Sequence, residues 1–408
     1  MVPKGWEAIK LNDICDKVTS GSRNWAQYYS EKGSKFIRMT NLQRNSIYLD
    51  LSDLKFVDIQ SDSSDGQRTS LETGDILMSI TAELGKIGWV HEGLGESFIN
   101  QHTALIRLKD NKAYSKYIAY LLSSKEMNHR INRLNDSGAK AGLNLTTIRS
   151  IPLVIPPVPE QQKIAKILST WDKAISTTEC LIENSIQQKK ALMQQLLTGK
   201  KRLLDESGEA FEGEWKKVSV GSLGKIYSGG TPSTSNTEYW DGDINWITPT
   251  DITKQDSRYI NSSLRKITLK GLENSSAKLV PAGSLLICTR ATIGAMAITS
   301  HEMCTNQGFK NIVPNSKTNI EFVYYLLTYN KHKMISKASG STFLELSKTS
   351  FESMEFKIPA INEQQKIATV LTNADKEIEL LEQQLADLQQ EKKALMQVLL
   401  TGKKRVVV

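Results

Sequence analysis

The residues that could carry out catalysis are few in this chain, and none of them has a catalytic spacing. Neither a Gly-x-x-x-x-Gly-Lys-Ser/Thr phosphate loop nor a Gly-x-Gly-x-x-Gly fingerprint occurs. The Asn/Asp-Pro-Pro-aromatic tetrapeptide of DNA amino-methyltransferases is also missing, because Pro156-Pro157 lies in Ile-Pro-Pro-Val. No two of the histidines have a metal-ligand spacing; they are His91, His102, His129, His301 and His332. The sequence therefore predicts no catalytic residue, no metal site and no cofactor on this chain.

Short polar loops carry side chains that suit a different chemistry, the recognition of DNA. Arg binds guanine and Asn binds adenine through paired hydrogen bonds, while Ser, Thr and backbone amides bind phosphates. The segment Thr19–Trp25 (TSGSRNW) and its counterpart Ser228–Ser233 (SGGTPS) have this composition. An ordinary solvated loop explains both segments equally well. The candidate DNA-binding residues here are Ser20, Gly21, Ser22, Arg23, Asn24, Gly229, Gly230 and Thr231.

A second pair of segments, TAELGK from Thr81 and RATIGA from Arg290, follows a strand-like run in each half. Arg290 stands where the other half has Thr81, a difference expected of two surfaces that read different DNA sequences. These segments add four candidates, namely Thr81, Lys86, Arg290 and Thr292. The pairs Asn100-Gln101 and Asn306-Gln307 recur unchanged, which favours a shared structural role such as backbone capping.

The chain is a tandem duplication in which some segments have diverged and others have not. Lys189–Arg202 (KKALMQQLLTGKKR) returns as Lys392–Arg405 (KKALMQVLLTGKKR), and the EQQKIA at Glu160 returns at Glu363. Each half therefore holds a variable module of about 155 residues and a near-identical module of about 45. Divergence between copies suits surfaces that meet different targets, and identity suits surfaces that meet the same partner twice.

Both near-identical modules have the heptad spacing of a long coiled-coil helix. Gly199 and Gly402 follow the last leucines as stop signals, and the basic residues after them either bind phosphate or form a solvated helix end. A single coiled coil of the two helices is favoured over two amphipathic helices that each pack on their own module. The apolar seam consists of Ile164, Leu168, Trp171, Ile175, Ile182, Leu192 and Leu196, and of Ile367, Leu371, Ile378, Leu381, Leu385, Leu388, Leu395 and Leu399.

The composition is that of a folded, mildly basic protein with more than one domain. The chain has 408 residues, a net charge of +8 and 39% hydrophobic residues, and the positive charge points to a polyanionic partner. No apolar run is long enough for a membrane span. The four cysteines form no Cys-x-x-Cys pair, which fits a reducing cytoplasm. Strands are predicted at 35–39, 75–80, 103–108, 245–247 and 284–289, and helices at 114–122 and 320–327.

Two variable modules that alternate with two near-identical helices make a specific pattern. Each helix opens with Ile-Pro-x-x-x-Glu-Gln-Gln-Lys-Ile-Ala, from Ile155 and from Ile358, and ends with Leu-Leu-Thr-Gly-Lys. In these motifs, and in the entry tryptophans Trp6 and Trp215, the chain resembles the specificity subunit of type I restriction–modification enzymes over its whole length.

The resemblance implies an α+β fold with an internal pseudo-twofold repeat. Two mixed α/β target recognition domains, 1–155 and 212–357, would each read half of a bipartite, asymmetric DNA site. The central helix (156–200), a linker (201–211) and the C-terminal helix segment (358–408) would connect and space them, the helices forming an antiparallel coiled coil.

The same resemblance implies the partners of the chain. The subunit would bind double-stranded DNA, two modification subunits that use S-adenosylmethionine, and restriction subunits that use ATP and magnesium, with no membrane involved. The repeated residues at the start of each helix would bind the modification subunits and are expected to be exposed; they are Gln161, Gln162, Lys163, Gln364, Gln365 and Lys366.

Two other functions remain open from the residues alone. A stand-alone DNA adenine methyltransferase would bind S-adenosylmethionine without a partner, and the missing motifs argue against it. A coiled-coil scaffold that binds only protein would show no sequence preference for DNA. The resemblance favours a non-catalytic DNA-binding subunit over both.

Overall fold

The computed structural model describes residues 2–21, 25–59, 62–109, 111–134, 142–255, 257–340 and 344–407. Its contacts divide the chain into two units, and each unit takes in half of both long helices. One unit comprises Met1–Cys180 with Gln383–Val408, and the other comprises Leu181–Glu382. The sequence predicts each helix as a segment of its own, whereas packing shares each helix between the units.

The N-terminal module builds its sheets from short strands that alternate with short helices. The first antiparallel pair, β1 with β10, holds the entry of the module beside the segment that leads into the long helix. The strands are β1 (Glu7–Lys10), β2 (Cys15–Ser20), β3 (Tyr29–Ser30), β4 (Ser34–Ile37), β5 (Lys55–Val57), β6 (Ile76–Ser79), β7 (Ile87–Trp89), β8 (Ser97–Ile99), β9 (Thr103–Leu108) and β10 (Pro152–Ile155). The helices are α1 (Leu11–Ile14), α2 (Ser64–Thr69), α3 (Ser115–Ser123), α4 (Lys125–Arg133), α5 (Leu145–Arg149) and the long α6 (Val158–Leu196).

The C-terminal module repeats this plan. Its first strand again pairs with its last, β11 with β20, just before the second long helix. The strands are β11 (Lys216–Ser219), β12 (Gly224–Ser228), β13 (Trp240–Ile247), β14 (Tyr259–Ile260), β15 (Lys266–Ile267), β16 (Leu285–Cys288), β17 (Met296–Thr299), β18 (Cys304–Thr305), β19 (Phe309–Pro314) and β20 (Glu355–Ile358). The helices are α7 (Pro249–Thr253), α8 (Leu269–Glu273), α9 (Ile320–Tyr329), α10 (Lys331–Ser336), α11 (Lys348–Glu352) and the long α12 (Ile361–Leu399).

The central sheets have matching orders in the two modules, β2-β9-β6-β7 in the first and β12-β19-β16-β17-β14 in the second. The strands β6 (ILMS) and β16 (LLIC) are apolar on both faces because each separates two cores. On β16, Leu285 and Ile287 face the core that contains α9, while Leu286 and Cys288 face a smaller core. The strands and helices expected from sequence are present, with bounds shifted by up to five residues.

The long helices complete the core of each module. In the first unit, Ile164 and Leu168 near the start of α6 share a core with Leu399 and Leu400 at the end of α12. In the second unit, Leu196 and Leu197 share a core with Ile367 and Leu371 of α12. The seam positions in the middle of the helices are half-buried. Helix pairing and packing on the modules, which the sequence presents as alternatives, therefore both occur.

Gly199 and Gly402 end the helices as the sequence predicts. Their φ angles of 69° and 68° lie in the left-handed region that glycine adopts without strain. Each glycine packs against the entry tryptophan of a module, Gly199 against Trp215 and Gly402 against Trp6. The end of each repeated helix thus closes on the beginning of a variable module.

Candidate nucleic-acid interface

Three loops of the N-terminal module meet at one end of its central sheet. The loop after β2 is held where Gly21 N donates to Thr103 O at 3.4 Å, and the loop after β6 where Ile80 N donates to His102 O at 3.0 Å. The hydroxyl of Thr81 lies 2.8 Å from Nδ1 of His102. The candidates Ser20, Gly21 and Thr81 therefore lie at the same end of the sheet as the Asn100–His102 turn. We call this group of loops the loop edge of the module.

The C-terminal module brings the corresponding loops together in the same way. Gly229 N donates to Phe309 O at 3.3 Å, and Thr289 N donates to Gly308 O at 2.8 Å. The exposed Thr231 hydroxyl donates to the side-chain carbonyl of Gln307. The loop edge of the C-terminal module therefore consists of Gly229, Gly230 and Thr231 together with the neighbouring loop that carries Arg290 and Thr292.

The backbone frame of this edge is the same in both modules. Ala82 and Ala291, each directly after the Thr81 or Arg290 position, have φ angles of 55° and 61°. A non-glycine residue pays about 1–2 kcal/mol for that left-handed conformation. Asn100 caps its turn by accepting from His102 N at 3.2 Å, and Asn306 accepts from Gly308 N at 2.9 Å. The capping role predicted for the recurring asparagines is confirmed.

The candidate glycines are buried, and each lies against the backbone of the neighbouring turn. A Cβ added at Gly21 would collide with the carbonyl of Asn100, and one at Gly229 with the carbonyl of Asn306. Trp246 Nε1 donates to Gly230 O at 2.8 Å, and this hydrogen bond holds Gly230 in place beside Gly229. Small residues here allow two loops to approach closely, so they position the polar side chains beside them.

The remaining candidates differ in how free their side chains are. Lys86 forms an ion pair with Glu83, three residues earlier. The Arg290 Nε lies 3.9 Å from a carboxylate oxygen of Glu345, and both side chains are nearly half exposed. Thr292 is exposed. Ser22, Arg23 and Asn24 lie outside the described residues.

The expected exposure of Gln161 and Gln364 is wrong, because both side chains are 1% exposed. Gln161 accepts from Tyr114 N at 2.8 Å, at the start of α3, and donates to Pro156 O at 2.8 Å. Gln364 accepts from Asn319 N at 3.0 Å, at the start of α9, and donates to Pro359 O at 2.9 Å. A heptad pattern cannot reveal this role, since the partner groups lie on another element. Gln162, Lys163, Gln365 and Lys366 are exposed.

Ion pairs fix the antiparallel direction of the helices within each unit. In the first unit, Glu160 pairs with Arg405 at 2.6 Å and Asp172 pairs with Lys392. In the second unit, the equivalent pairs are Lys189 with Asp375 and Arg202 with Glu363, the latter at 2.7 Å. The arginine of each terminal basic run therefore binds a buried glutamate of the other helix, which neither interpretation of those runs anticipated.

Two lysines at equivalent positions of the long helices, Lys392 and Lys189, belong to a repeated polar network. Lys392 and Asp172 are each 9% exposed, and Tyr120 of α3 donates its hydroxyl proton to Asp172. In the second unit, Asp375 pairs with Lys189 and accepts the hydroxyl proton of the equivalent tyrosine, Tyr325. Arg258 also donates to the Asp375 carboxylate, at 3.4 Å. Burial and the neighbouring Asp172 raise the pKa of Tyr120, so its hydroxyl remains a donor.

The described ranges give no sign of a metal centre, and three of the four cysteine thiols are buried. Among the described residues, no group of three His, Cys, Asp or Glu side chains could hold a metal ion. Burial raises the pKa of the Cys15, Cys288 and Cys304 thiols to about 12. Within the described residues, none of the helices combines the length and the apolar character that a membrane span requires.

The two modules have the same backbone frame and different loop side chains, and a repeated long helix follows each of them. This arrangement is typical of a modular DNA-specificity protein. The chain belongs to the type I restriction–modification DNA specificity domain family, whose model matches residues 3–188 and 212–390. It is therefore a DNA-specificity subunit, and in type I systems this subunit is non-catalytic.

Known proteins that are similar to this chain are also specificity subunits. A putative type I restriction enzyme specificity subunit from Methanocaldococcus jannaschii is 29% identical over 99% of this chain and 95% of its own length. A second specificity subunit from that organism, MjaIX, is 40% identical, over 41% of this chain and 39% of its own length. The HsdS crystal structure from Thermoanaerobacter tengcongensis matches 99% of this chain and 98% of its own with a TM-score of 0.54. At 16% identity, that last match shows the fold alone.

Proposed function

We propose that each variable module reads one half of a bipartite, asymmetric DNA site through the loop edge described above. One observation carries the proposal: both modules hold the same backbone frame, down to the left-handed Ala82 and Ala291, yet present different side chains on it. A shared frame places the reading positions alike against a duplex. Different side chains on that frame select different bases.

Arg290 is the sharpest base-reading candidate on this edge. Its side chain is exposed, its ion pair with Glu345 is loose at 3.9 Å, and its counterpart Thr81 is bonded to His102 instead. An exposed, weakly paired guanidinium gives up little when it forms paired hydrogen bonds to guanine, a contact that contributes about 1–3 kcal/mol of discrimination.

Methylome sequencing of a strain that expresses this chain with its modification subunits tests the proposal. Arg290→Ala should relax one position of the C-terminal half-site and leave the N-terminal half-site intact. Thr81→Ala is the matched variant at the equivalent position and should affect only the N-terminal half-site. A variant that changed both half-sites together would contradict modular reading.

The modification subunits are proposed to dock on the exposed residues that both helices repeat, Gln162 with Lys163 and Gln365 with Lys366. Equal surfaces on equal helices suit two copies of one partner. Replacing Gln162 and Lys163 by alanine should lower the number of bound modification subunits from two to one without unfolding the chain. Gln161→Ala is the control: it leaves Tyr114 N–H and Pro156 C=O unpaired, so it should lower stability by about 1–3 kcal/mol. A stoichiometry of two in the first variant would refute the docking surface.

The catalytic cofactors are proposed to reside on the partner subunits: S-adenosylmethionine on the modification subunits, and ATP with magnesium on restriction subunits. The chain would act in the cytoplasm, which suits cysteines that form no disulfide among the described residues. Binding of radiolabelled S-adenosylmethionine to the purified chain alone would instead support a stand-alone methyltransferase. Failure of the assembled complex to prefer any DNA sequence would support a protein-only scaffold.

A further inference from the structure

A glutamine occupies the same place on both loop edges, and its two copies have different surroundings. Gln101 is half-buried, and its Nε2 lies 3.1 Å from Nε2 of His102. Gln307 is exposed, and its side-chain carbonyl accepts the hydroxyl proton of Thr231. The residue after Gln307 is Gly308, which has no side chain that could hold the amide as His102 does. The same residue is therefore held within one module and presented to solvent by the other.

The turn that carries Gln307 is fixed by hydrogen bonds and lies close to Arg290. The side chain of Asn306 accepts from Gly308 N at 2.9 Å, and Gly308 O accepts from Thr289 N at 2.8 Å. A Cβ added at Gly308 would lie 3.7 Å from the Cβ of Arg290. The residues on either side of Gln307 are thus held in place, and its side chain leaves the turn next to the base-reading candidate of this module.

The hydroxyl that holds the Gln307 amide comes from an equally fixed segment. Gly230, the residue before Thr231, donates from its N to Thr305 O at 2.9 Å and accepts from Trp246 Nε1 at 2.8 Å. Thr231 itself is exposed, so its contact with Gln307 lies at the surface of the loop edge. A side chain that is held in one orientation before binding loses less conformational entropy when it binds. Gln307 is consequently prepared for a partner outside the chain.

The groups that Gln307 keeps free match one base. A side-chain amide has two N–H donors and two acceptor positions on its oxygen. Thr231 uses one acceptor position, and no other described residue forms a hydrogen bond with this amide, so one acceptor position and both donors remain. If the amide were rotated by 180°, Thr231 would accept one N–H, and a donor and an acceptor would still remain. Adenine offers N7 as an acceptor and its N6 amino group as a donor in the major groove, and glutamine binds both at once.

We propose that Gln307 reads an adenine of the C-terminal half-site, next to the base pair that Arg290 reads, and that Thr231 positions its amide. This inference rests on the proposed function, because it places the duplex on the same loop edge. Gln101 has the same amide but is held against His102, so the N-terminal module reads its half-site without it. One residue that both modules repeat thus reads DNA in only one of them.

Methylome sequencing of strains that express variants of this chain with its modification subunits tests the assignment. The wild-type C-terminal half-site should have an A·T pair next to the position that Arg290→Ala relaxes. Gln307→Ala should relax this A·T position. Gln307→Glu should change its preference to cytosine, because a carboxylate accepts from cytosine N4 but cannot donate to adenine N7. Gln101→Ala is the matched control and should leave both half-sites intact.

Binding of synthetic duplexes by the purified complex measures the size of the effect. Replacing the A·T pair should weaken binding by the wild-type complex about 5- to 150-fold, the range for one paired base contact. The same replacement should leave binding by the Gln307→Ala complex nearly unchanged. Thr231→Val should reduce the discrimination, whereas Thr231→Ser, which keeps the hydroxyl, should retain it. The Tm of the four variants should equal that of the wild type, because both side chains are exposed.

Four results would each overturn the assignment: a wild-type half-site without that A·T pair, an unchanged half-site in Gln307→Ala, a relaxed N-terminal half-site in Gln101→Ala, or equal losses in Thr231→Ser and Thr231→Val. If Arg290→Ala relaxes its position while Gln307→Ala changes nothing, only the reading by Gln307 fails. If neither variant changes the C-terminal half-site, the proposed function fails as well.

Discussion

Removal of Lys392 should destabilise the protein far more than removal of its repeat counterpart Lys189. Lys392 and Asp172 are each only 9% exposed, and Lys392→Met would leave the carboxylate buried with Tyr120 as its one remaining side-chain partner among the described residues. Breaking a buried ion pair in this way costs about 3–5 kcal/mol. Lys189 is 27% exposed, and Asp375 would keep both Arg258 and Tyr325. We therefore expect Lys189→Met to cost about 1.5 kcal/mol, the lower end for a charge-assisted hydrogen bond.

Native-state hydrogen exchange suits this comparison because it reports the opening free energy of each unit separately. Lys392→Met should lower protection in peptides of the unit that contains α3, and Lys189→Met in the unit that contains α9. Adding Asp172→Asn to Lys392→Met should recover most of the loss, since no charge then remains buried and the amide oxygen still accepts from Tyr120. Equal losses in the two single variants, or no recovery in the double variant, would refute the reasoning.

Two further outcomes follow from packing and from the thiols. Gly229→Ala should prevent the loop edge of the C-terminal module from forming, because its Cβ would collide with Asn306 O. Gly221→Ala is the control and should be tolerated, because its Cβ would lie 3.4 Å from Glu352. Specific DNA binding and the Tm should fall in the first variant and stay unchanged in the second. At pH 8, iodoacetamide should label the exposed Cys180 before the buried cysteines. The pKa of about 12 at Cys288 leaves only about 1 thiol in 10,000 as the reactive thiolate. Mass spectrometry of the native chain checks the order, and early labelling of Cys288 would contradict it.

Local pattern was sufficient to predict the architecture of the chain. The duplication, the heptads and the helix stops at Gly199 and Gly402 are written in residues that are close in sequence, and the apolar runs mark β6 and β16. Such features depend on propensity and periodicity, which neighbouring residues determine. The family resemblance rests on the same short motifs, so the function could be predicted before any contact was known.

Contacts between distant residues decided the rest. The heptad marks Gln161 as lying off the seam, yet its partners are Tyr114 and Pro156, and the pairing of Glu160 with Arg405 joins residues 245 positions apart. Sequence periodicity determines which face of an element is buried. The element that covers that face, and the charge that it brings, are set by how the whole module packs.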